Sequence, residues 1–184
     1  MSSRKDKLPL KTALKWAERV AELLRPHCDR VEIAGSVRRE KNDVGDIEIV
    51  CIPKRDTDLL GAAAGVSKGF VDTVERWEAV KGSPTGRYTQ RVLPNTGGFT
   101  VDLFMADREN FGWIFALRTG SDVFNQVVYL RGLRAVNCFA ENGYVYDYSD
   151  TLNPRLVPLP EEEDLFKLIG AEFVHARMRD MTAW

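Results

Sequence analysis

Between Pro9 and Arg25, apolar side chains return at Leu10, Ala13, Leu14, Ala17, Val20, Ala21 and Leu24. This three-to-four spacing predicts an amphipathic helix. Pro9 suits its first turn and Pro26 ends it. The period then falls to two. Residues 30–34 predict a short strand ending at Gly35, with Ser36 placed to cap a short helical segment through Arg39. Residues 46–52, Asp-Ile-Glu-Ile-Val-Cys-Ile, predict a strand bounded by Gly45 and Pro53. The stretch 57–80 reads as helix interrupted near Gly61, Gly65 and Gly69, with its clearest period over 70–80. Residues 86–93 and 99–105 predict strands joined by Pro-Asn-Thr-Gly-Gly, hence a hairpin.

Beyond the hairpin, residues 109–118 and 121–141 read as two helices separated by Thr119-Gly120. Alternating aromatics at Tyr144, Tyr146 and Tyr148 predict a strand with all three on one face. Pro154, Pro158 and Pro160 mark loops, and residues 161–170 predict a helix that starts with acidic residues. Strands and helices are mixed, and the helix-rich portion comes last. The order predicts an α+β fold with a mixed or antiparallel sheet flanked by helices, then a small helix-rich lobe. The boundary is expected near residue 108, giving lobes 1–108 and 109–184.

Composition narrows the class. The chain has 184 residues, 44% hydrophobic and 29% charged, enough apolar surface for a real core. No stretch is long and apolar enough to span a membrane, and the polar, basic start MSSRKDKLPL lacks the apolar segment of a secretory signal. The cysteines Cys28, Cys51 and Cys138 are widely spaced and form no CxxC, which argues against a disulfide framework or zinc site. A reducing intracellular compartment fits best, the cytoplasm first and the nucleus as the alternative. Two histidines, His27 and His175, leave no His-rich metal site. A net charge of −1 hides local basic groups: Arg38, Arg39 and Lys41; Lys81, Arg87 and Arg91; Arg131 and Arg134; Arg177 and Arg179. Helical spacing assigns Trp16, Trp77 and Trp113 to the core rather than to stacking platforms.

The chemistry concentrates around residues 34–50, AGSVRREKNDVGDIEIV. Strand alternation puts Asp46 and Glu48 on one face and Ile47 and Ile49 on the other. In residues 99–105, Asp102 likewise opposes Val101 and Leu103. If the two strands are neighbours, three carboxylates converge. Their mutual repulsion is relieved by hard divalent cations, Mg²⁺ or Mn²⁺. A pair of such ions about 3.5–4 Å apart serves in-line phosphoryl displacement. The competing reading places Asp46 and Glu48 on the wet face of an ordinary sheet. Gly35-Ser36 weighs against it, because a glycine turn lets backbone approach phosphate oxygens and Arg39 can hold two of them.

The sequence Gly35-Ser36-Val-Arg-Arg39, then Gly45-Asp46-Ile-Glu48, then Val-Asp102-Leu resembles the nucleotidyltransferase superfamily with the DNA polymerase beta fold. Thr-Gly-Ser-Asp-Val-Phe-Asn over 119–125 and the segment 160–180 are similar to the C-terminal part of family X DNA polymerases. The resemblance runs from Leu8 to Asp180. It implies a nucleotidyltransferase palm followed by a lobe that contacts nucleotide and template. It implies Asp46, Glu48 and Asp102 as the catalytic, metal-binding carboxylates, Asp102 accepting the primer hydroxyl proton. Gly35, Ser36, Arg39 and Gly45 then hold the β- and γ-phosphates, Thr119 and Gly120 lie beside the sugar, and Asp122 and Asn125 meet the base. The implied cofactors are two Mg²⁺ ions, with Mn²⁺ as a substitute. The implied partners are a DNA primer–template and a dNTP, without a membrane, for a monomer filling short gaps in DNA repair.

Three departures stand out. Glu48 stands where the family usually has Asp, so one methylene must be absorbed. Leu117-Arg118 stands where an aromatic pair usually precedes Thr-Gly-Ser, which bears on sugar selection. Tyr129 stands where several relatives carry a template-contacting arginine, a role for which Arg131 and Arg134 are the substitutes. Nucleic-acid contacts are accordingly expected among Lys81, Arg87, Arg91, Arg118, Tyr129 and Arg131. Only seven residues precede Leu8, so the resemblance is to a minimal form without the lyase and helix-hairpin-helix regions. Two other readings stay open: template-independent or ribonucleotide addition on the same fold, and a nucleotide- or DNA-binding module whose catalysis has decayed at Glu48.

Overall fold

The apolar stripe of the first helix decides where the first sheet can pack. In the computed structural model, which describes residues 7–57 and 62–180, the chain divides into two compact units, Met1–Ala106 and Asp107–Trp184. The division falls two residues before the boundary expected near 108. Residues 1–6 of the polar leader and the expected break at Gly61 lie outside the described residues.

In the first unit, strand β1 (Leu8–Pro9) leads into helix α1 (Leu10–Leu24), with Pro9 at its N-cap. Ala13, Ala17, Val20, Ala21 and Leu24 are buried on its inner face. A 3-10 turn containing Pro26 (Arg25–His27) follows, as a residue with no N–H to donate favours. Then come β2 (Cys28–Ile33), the short helix α2 (Gly35–Arg38), β3 (Asp43–Val44), which pairs with β1, and β4 (Ile47–Pro53). Ser36 lies inside α2 rather than capping it; Ala34 is the N-cap residue, without a side-chain hydrogen bond.

The segment expected to be an interrupted helix over 57–80 is mostly not helical. Strands β5 (Arg55–Thr57) and β6 (Ala63–Val66) pair antiparallel, with Gly65 at φ +123 in β6. Helix α3 (Lys68–Glu75) starts at Ser67, whose hydroxyl accepts from the Phe70 amide. Strand β7 (Glu78–Gly82) then pairs with β8 (Tyr88–Val92), which pairs with β9 (Thr100–Met105). Strand pairing overrides the helical period seen in sequence.

The main sheet has the order β2-β4-β9-β8-β7. All its pairs are antiparallel except β4 with β9, which run parallel. One face is apolar: Ile47, Ile49, Cys51, Val101, Leu103 and Met105 join α1 and Phe70 and Val74 of α3 in a single core. Side chains alternate across a strand, so Glu48 and Asp102 are left on the opposite face.

The second unit opens with α4 (Phe111–Thr119). The helix expected over 121–141 is in three pieces that stop early: α5 (Asp122–Phe124), a π-helical turn (Asn125–Leu130) and α6 (Arg131–Ala135). The chain then turns to β10 (Cys138–Glu141), β11 (Tyr144–Asp147) and β12 (Arg155–Val157), a three-stranded antiparallel sheet. The Asn142-Gly143 pair, at φ 51 and 81, makes the hairpin turn that a helix through 141 would forbid. Helix α7 (Glu162–Leu168) starts with the acidic capping box Glu161/Asp164. Trp113, Ala116, Phe124, Tyr129, Leu133 and Phe166 form the centre of a second core. The α+β class holds, with a mixed sheet flanked by helices; the C-terminal unit carries a sheet as well as helices.

The tail is fastened by a buried ion pair. Arg179, with 0% exposure, donates through Nη1 to Glu162 at 2.5 Å and through Nε to the Val174 carbonyl at 2.7 Å. Its guanidinium lies 5.1 Å and 5.2 Å from the ring centroids of Phe166 and Phe173. This removes Arg179 from the exposed basic groups counted in sequence.

Candidate active site

The register of the one parallel pair sets the geometry. Glu48 of β4 lies directly opposite Asp102 of β9, and Gln90 of β8 lies opposite Asp102 from the other side. The two acids therefore occupy adjacent strands on the same face, as the alternation of both segments required. Asp46 stands one residue before β4 and is half-buried. Asp102 is buried, with 7% exposure. Its Oδ1 accepts from the Tyr88 hydroxyl at 2.8 Å and from Gln90 Nε2 at 2.8 Å. Neither residue was singled out in the sequence. Both lie on the partner strand of the expected hairpin, and the turn did not fix which of its residues face Asp102.

The glycine turn meets the acids. The Ala34 amide donates to the Glu48 carbonyl at 2.9 Å, which draws the end of β2 alongside β4. Gly35 has φ +64. A Cβ there would overlap the Glu48 carboxylate, lying 2.9 Å from its Cδ and 3.1 Å from its Cβ. Only glycine satisfies both the backbone angle and this approach. The Glu48 side chain lies along Gly35. Ser36 and Arg39 are half-buried; the Arg39 amide closes α2 onto the Gly35 and Val37 carbonyls. Gly45 is half-buried and borders a cavity of about 330 Å³ with Leu8 and the loop Thr96–Thr100.

The donor set suits a hard divalent cation: carboxylates at Glu48 and Asp102, with Asp46 two residues upstream of Glu48. Among the described residues, no three His, Cys, Asp or Glu side chains are gathered as a ready-made metal cage. The register brings Glu48 and Asp102 together; Asp46 precedes β4, and the expected convergence of three carboxylates is not formed as a group among the described residues.

The basic residues divide. Lys81 on β7 is exposed, its ammonium 5.8 Å from the centroid of the Tyr88 ring. Arg87, just before β8, is exposed. Arg91 is not available to nucleic acid: it is 6% exposed on the core face, donating through Nε to Thr89 at 2.9 Å and reaching the Trp77 carbonyl. Alternation decides this, because Arg91 opposes Val101, and a polar group on that face is buried at a cost unless it is hydrogen-bonded.

In the second unit Thr119 is fully buried at the end of α4, and Gly120 caps the helix. The Ser121 amide donates to the Arg179 carbonyl at 3.1 Å, and the Ser121 hydroxyl caps α5. Asn125 is buried; its Nδ2 donates to the Leu117 carbonyl at 2.8 Å and more weakly to Gly120. Its Oδ1 is buried without a hydrogen-bond partner. The amide packs so tightly on Gly120 that a Cβ there would lie 3.1 Å from Asn125 Cγ. Asp122 and Arg131 are exposed, and Arg118 is half-buried. Tyr129 is a core residue and not a template contact: it has 0% exposure and meets Trp113, Phe124 and Phe166 edge-on. The π turn that carries it shifts the side chains around the helix axis and points this one inward.

Burial and neighbouring groups also set several pKa values away from the candidate site. Cys51 is raised well above its ordinary value, by a hydrogen bond with the Cys28 sulfur first and by burial second. Asp147 is lowered, chiefly by the Ser149 hydroxyl and amide.

No protein-family model matches the chain, and no curated protein matches it.

Proposed function

We propose that the chain is a DNA-directed DNA polymerase of the family X type, a transferase that adds a dNMP to a primer 3′-hydroxyl and fills short gaps in DNA repair. One observation carries the reading: Glu48 faces Asp102 across the parallel pair while Gly35 packs against the Glu48 side chain. Two carboxylates beside a positive-φ glycine turn are what a triphosphate and its cations require.

In this reading the unit containing the main sheet is the nucleotidyltransferase palm. Asp46, Glu48 and Asp102 hold a pair of Mg²⁺ ions, with Mn²⁺ as a substitute. Ions held there would supply charge stabilisation for the attacking and leaving oxygens. Asp102 accepts the proton of the primer hydroxyl. Gly35, Ser36 and Arg39 receive the β- and γ-phosphates, with Gly45 leaving room beside them. By the resemblance alone, Thr119 and Gly120 are assigned to the sugar and Asp122 and Asn125 to the base. Lys81, Arg87, Arg118 and Arg131 remain as backbone contacts. The partners are a primer–template and a dNTP, bound by a monomer. Among the described residues no helix is long and apolar enough to cross a membrane.

The burial of Tyr129 favours one second reading. With that side chain in the core and Leu117-Arg118 in place of an aromatic step, template and sugar selection rest on fewer groups, which suits untemplated or ribonucleotide addition. Primer extension on gapped, recessed and single-stranded substrates, with dNTPs or NTPs and with Mg²⁺ or Mn²⁺, separates the two. Template-dependent dNMP addition supports the first. Addition to single strands or with NTPs supports the second. Nucleotide binding with no extension in either ion leaves only a binding module.

A further inference from the structure

We propose that Tyr88 and Gln90 are positioning residues for Asp102, fixing its carboxylate so that Oδ1 is held by protein and Oδ2 is presented to the reaction. The inference rests on the catalytic role proposed for Asp102. The torsion that orients an aspartate carboxylate is broad and roughly two-fold, so a strand position alone does not decide which oxygen faces a ligand. Here two donors decide it. The Tyr88 hydroxyl and Gln90 Nε2 both reach Oδ1 at 2.8 Å, and Oδ2 takes neither.

Each donor is itself held. Gln90 lies opposite Asp102 in the β8–β9 register. Tyr88 lies opposite Phe104 and stacks on it, with ring centroids 5.1 Å apart and an interplanar angle of 30°. The Lys81 ammonium stands 5.8 Å from the same Tyr88 ring. A hydroxyl on a ring fixed this way has little freedom to leave Asp102.

The chemistry of the donors also matters. Both are neutral, so they fix the carboxylate without neutralising it. An arginine or lysine in either place would pair with the charge that a cation needs. A fixed oxygen is what preorganisation of a metal and proton-accepting site demands, and the fixing is supplied by residues outside the set of ligands.

The test uses Tyr88→Phe, which keeps the ring and its stacking, Gln90→Leu, and the double variant. Two readouts are taken on each: Mn²⁺ affinity by electron paramagnetic resonance, which needs no turnover, and kcat and KM for single-nucleotide gap filling. Thermal melts confirm that each variant folds. Loss of such outer-shell groups commonly lowers metal affinity or activity about 10-fold to 100-fold. The double variant is expected to fall in that range in kcat and in Mn²⁺ affinity, while KM for the dNTP changes less than about 2-fold because the phosphate-binding turn is untouched. Wild-type values in all three variants overturn the positioning role and leave the polymerase reading standing. A wild type that binds Mn²⁺ without extending primers overturns the polymerase reading; weaker Mn²⁺ binding in the variants then still upholds the positioning role. A wild type that does neither overturns both.

Discussion

Replacing Gly35 with Ala tests the junction between the glycine turn and the acids. Two separate costs follow from the structure. The first is backbone strain, because Gly35 sits at φ +64 and a Cβ there costs about 1–2 kcal/mol. The second is steric. The new Cβ would overlap the Glu48 carboxylate and lie 2.9 Å from its Cδ. A flexible carboxylate can swing away, at about 0.5–1.5 kcal/mol if it leaves its rotamer. Stability should fall by about 1.5–3.5 kcal/mol, the sum of the two ranges. Activity should fall further than stability implies, because the displaced group is one of the proposed metal ligands. A misplacement of about 1 Å costs on the order of 10²-fold in rate. The assay is a double-mutant cycle of Gly35→Ala and Glu48→Ala, read by urea melts, with gap-filling rates for the single glycine variant. In the Glu48→Ala background the clash with the carboxylate is gone, leaving the backbone strain and a 3.1 Å approach to the residue 48 Cβ, so the cycle should show a coupling of about 0.5–1.5 kcal/mol. An equal cost of Gly35→Ala in both backgrounds would refute the claim that the glycine exists to admit Glu48.

Three further outcomes are expected. Glu48→Asp should withdraw the carboxylate from Gly35 by one methylene and change the Mg²⁺/Mn²⁺ activity ratio at least about 3-fold, metal geometry being sensitive to ligand reach; an unchanged ratio in gap filling would show that the extra methylene is inert. Arg179→Met should destabilise the second unit by about 3–5 kcal/mol, because it strands Glu162 in the core, and Arg179→Met with Glu162→Leu should recover most of that loss in urea melts. Cys28, Cys51 and Cys138 are all buried free thiols, so iodoacetamide at pH 8 should label them only after unfolding. The raised Cys51 thiol stays protonated in the fold while the unfolded thiol ionises, so its contribution to stability is present below about pH 8.5 and declines as pH rises beyond it; a melting temperature flat from pH 8 to 10 would contradict this.

Where burial and period agreed, the sequence was readable. The first helix was expected over 9–25 and runs Leu10–Leu24, because its stripe of small and branched side chains has only one face to bury. The two acidic strands were legible for the same reason: Ile47, Ile49, Val101 and Leu103 claim the core and leave Glu48 and Asp102 the other face. Partner-dependent features were hidden. Nothing local in residues 62–66 announces a strand; β6 exists because Arg55–Thr57 lies beside it. Arg91 has the composition of a surface residue, and only the hairpin register sends it to the core face. Tyr129 was placed outside by analogy, whereas the π turn carries it inward. Tyr88 and Gln90 could have been found from the period-two pattern, had the turn between the strands fixed which residues oppose Asp102.

The most direct measurement is the rate of single-nucleotide gap filling by the wild type and by Asp102→Asn, which keeps the side-chain shape and an oxygen for Tyr88 and Gln90. The wild type should add one templated dNMP in Mg²⁺. The variant should be slower by about 10³-fold, within the range a positioned proton acceptor contributes, while still binding the dNTP. Extension by the variant within a few-fold of wild type, or no extension by the wild type in either Mg²⁺ or Mn²⁺, would contradict the assignment of this sheet face as a polymerase active site.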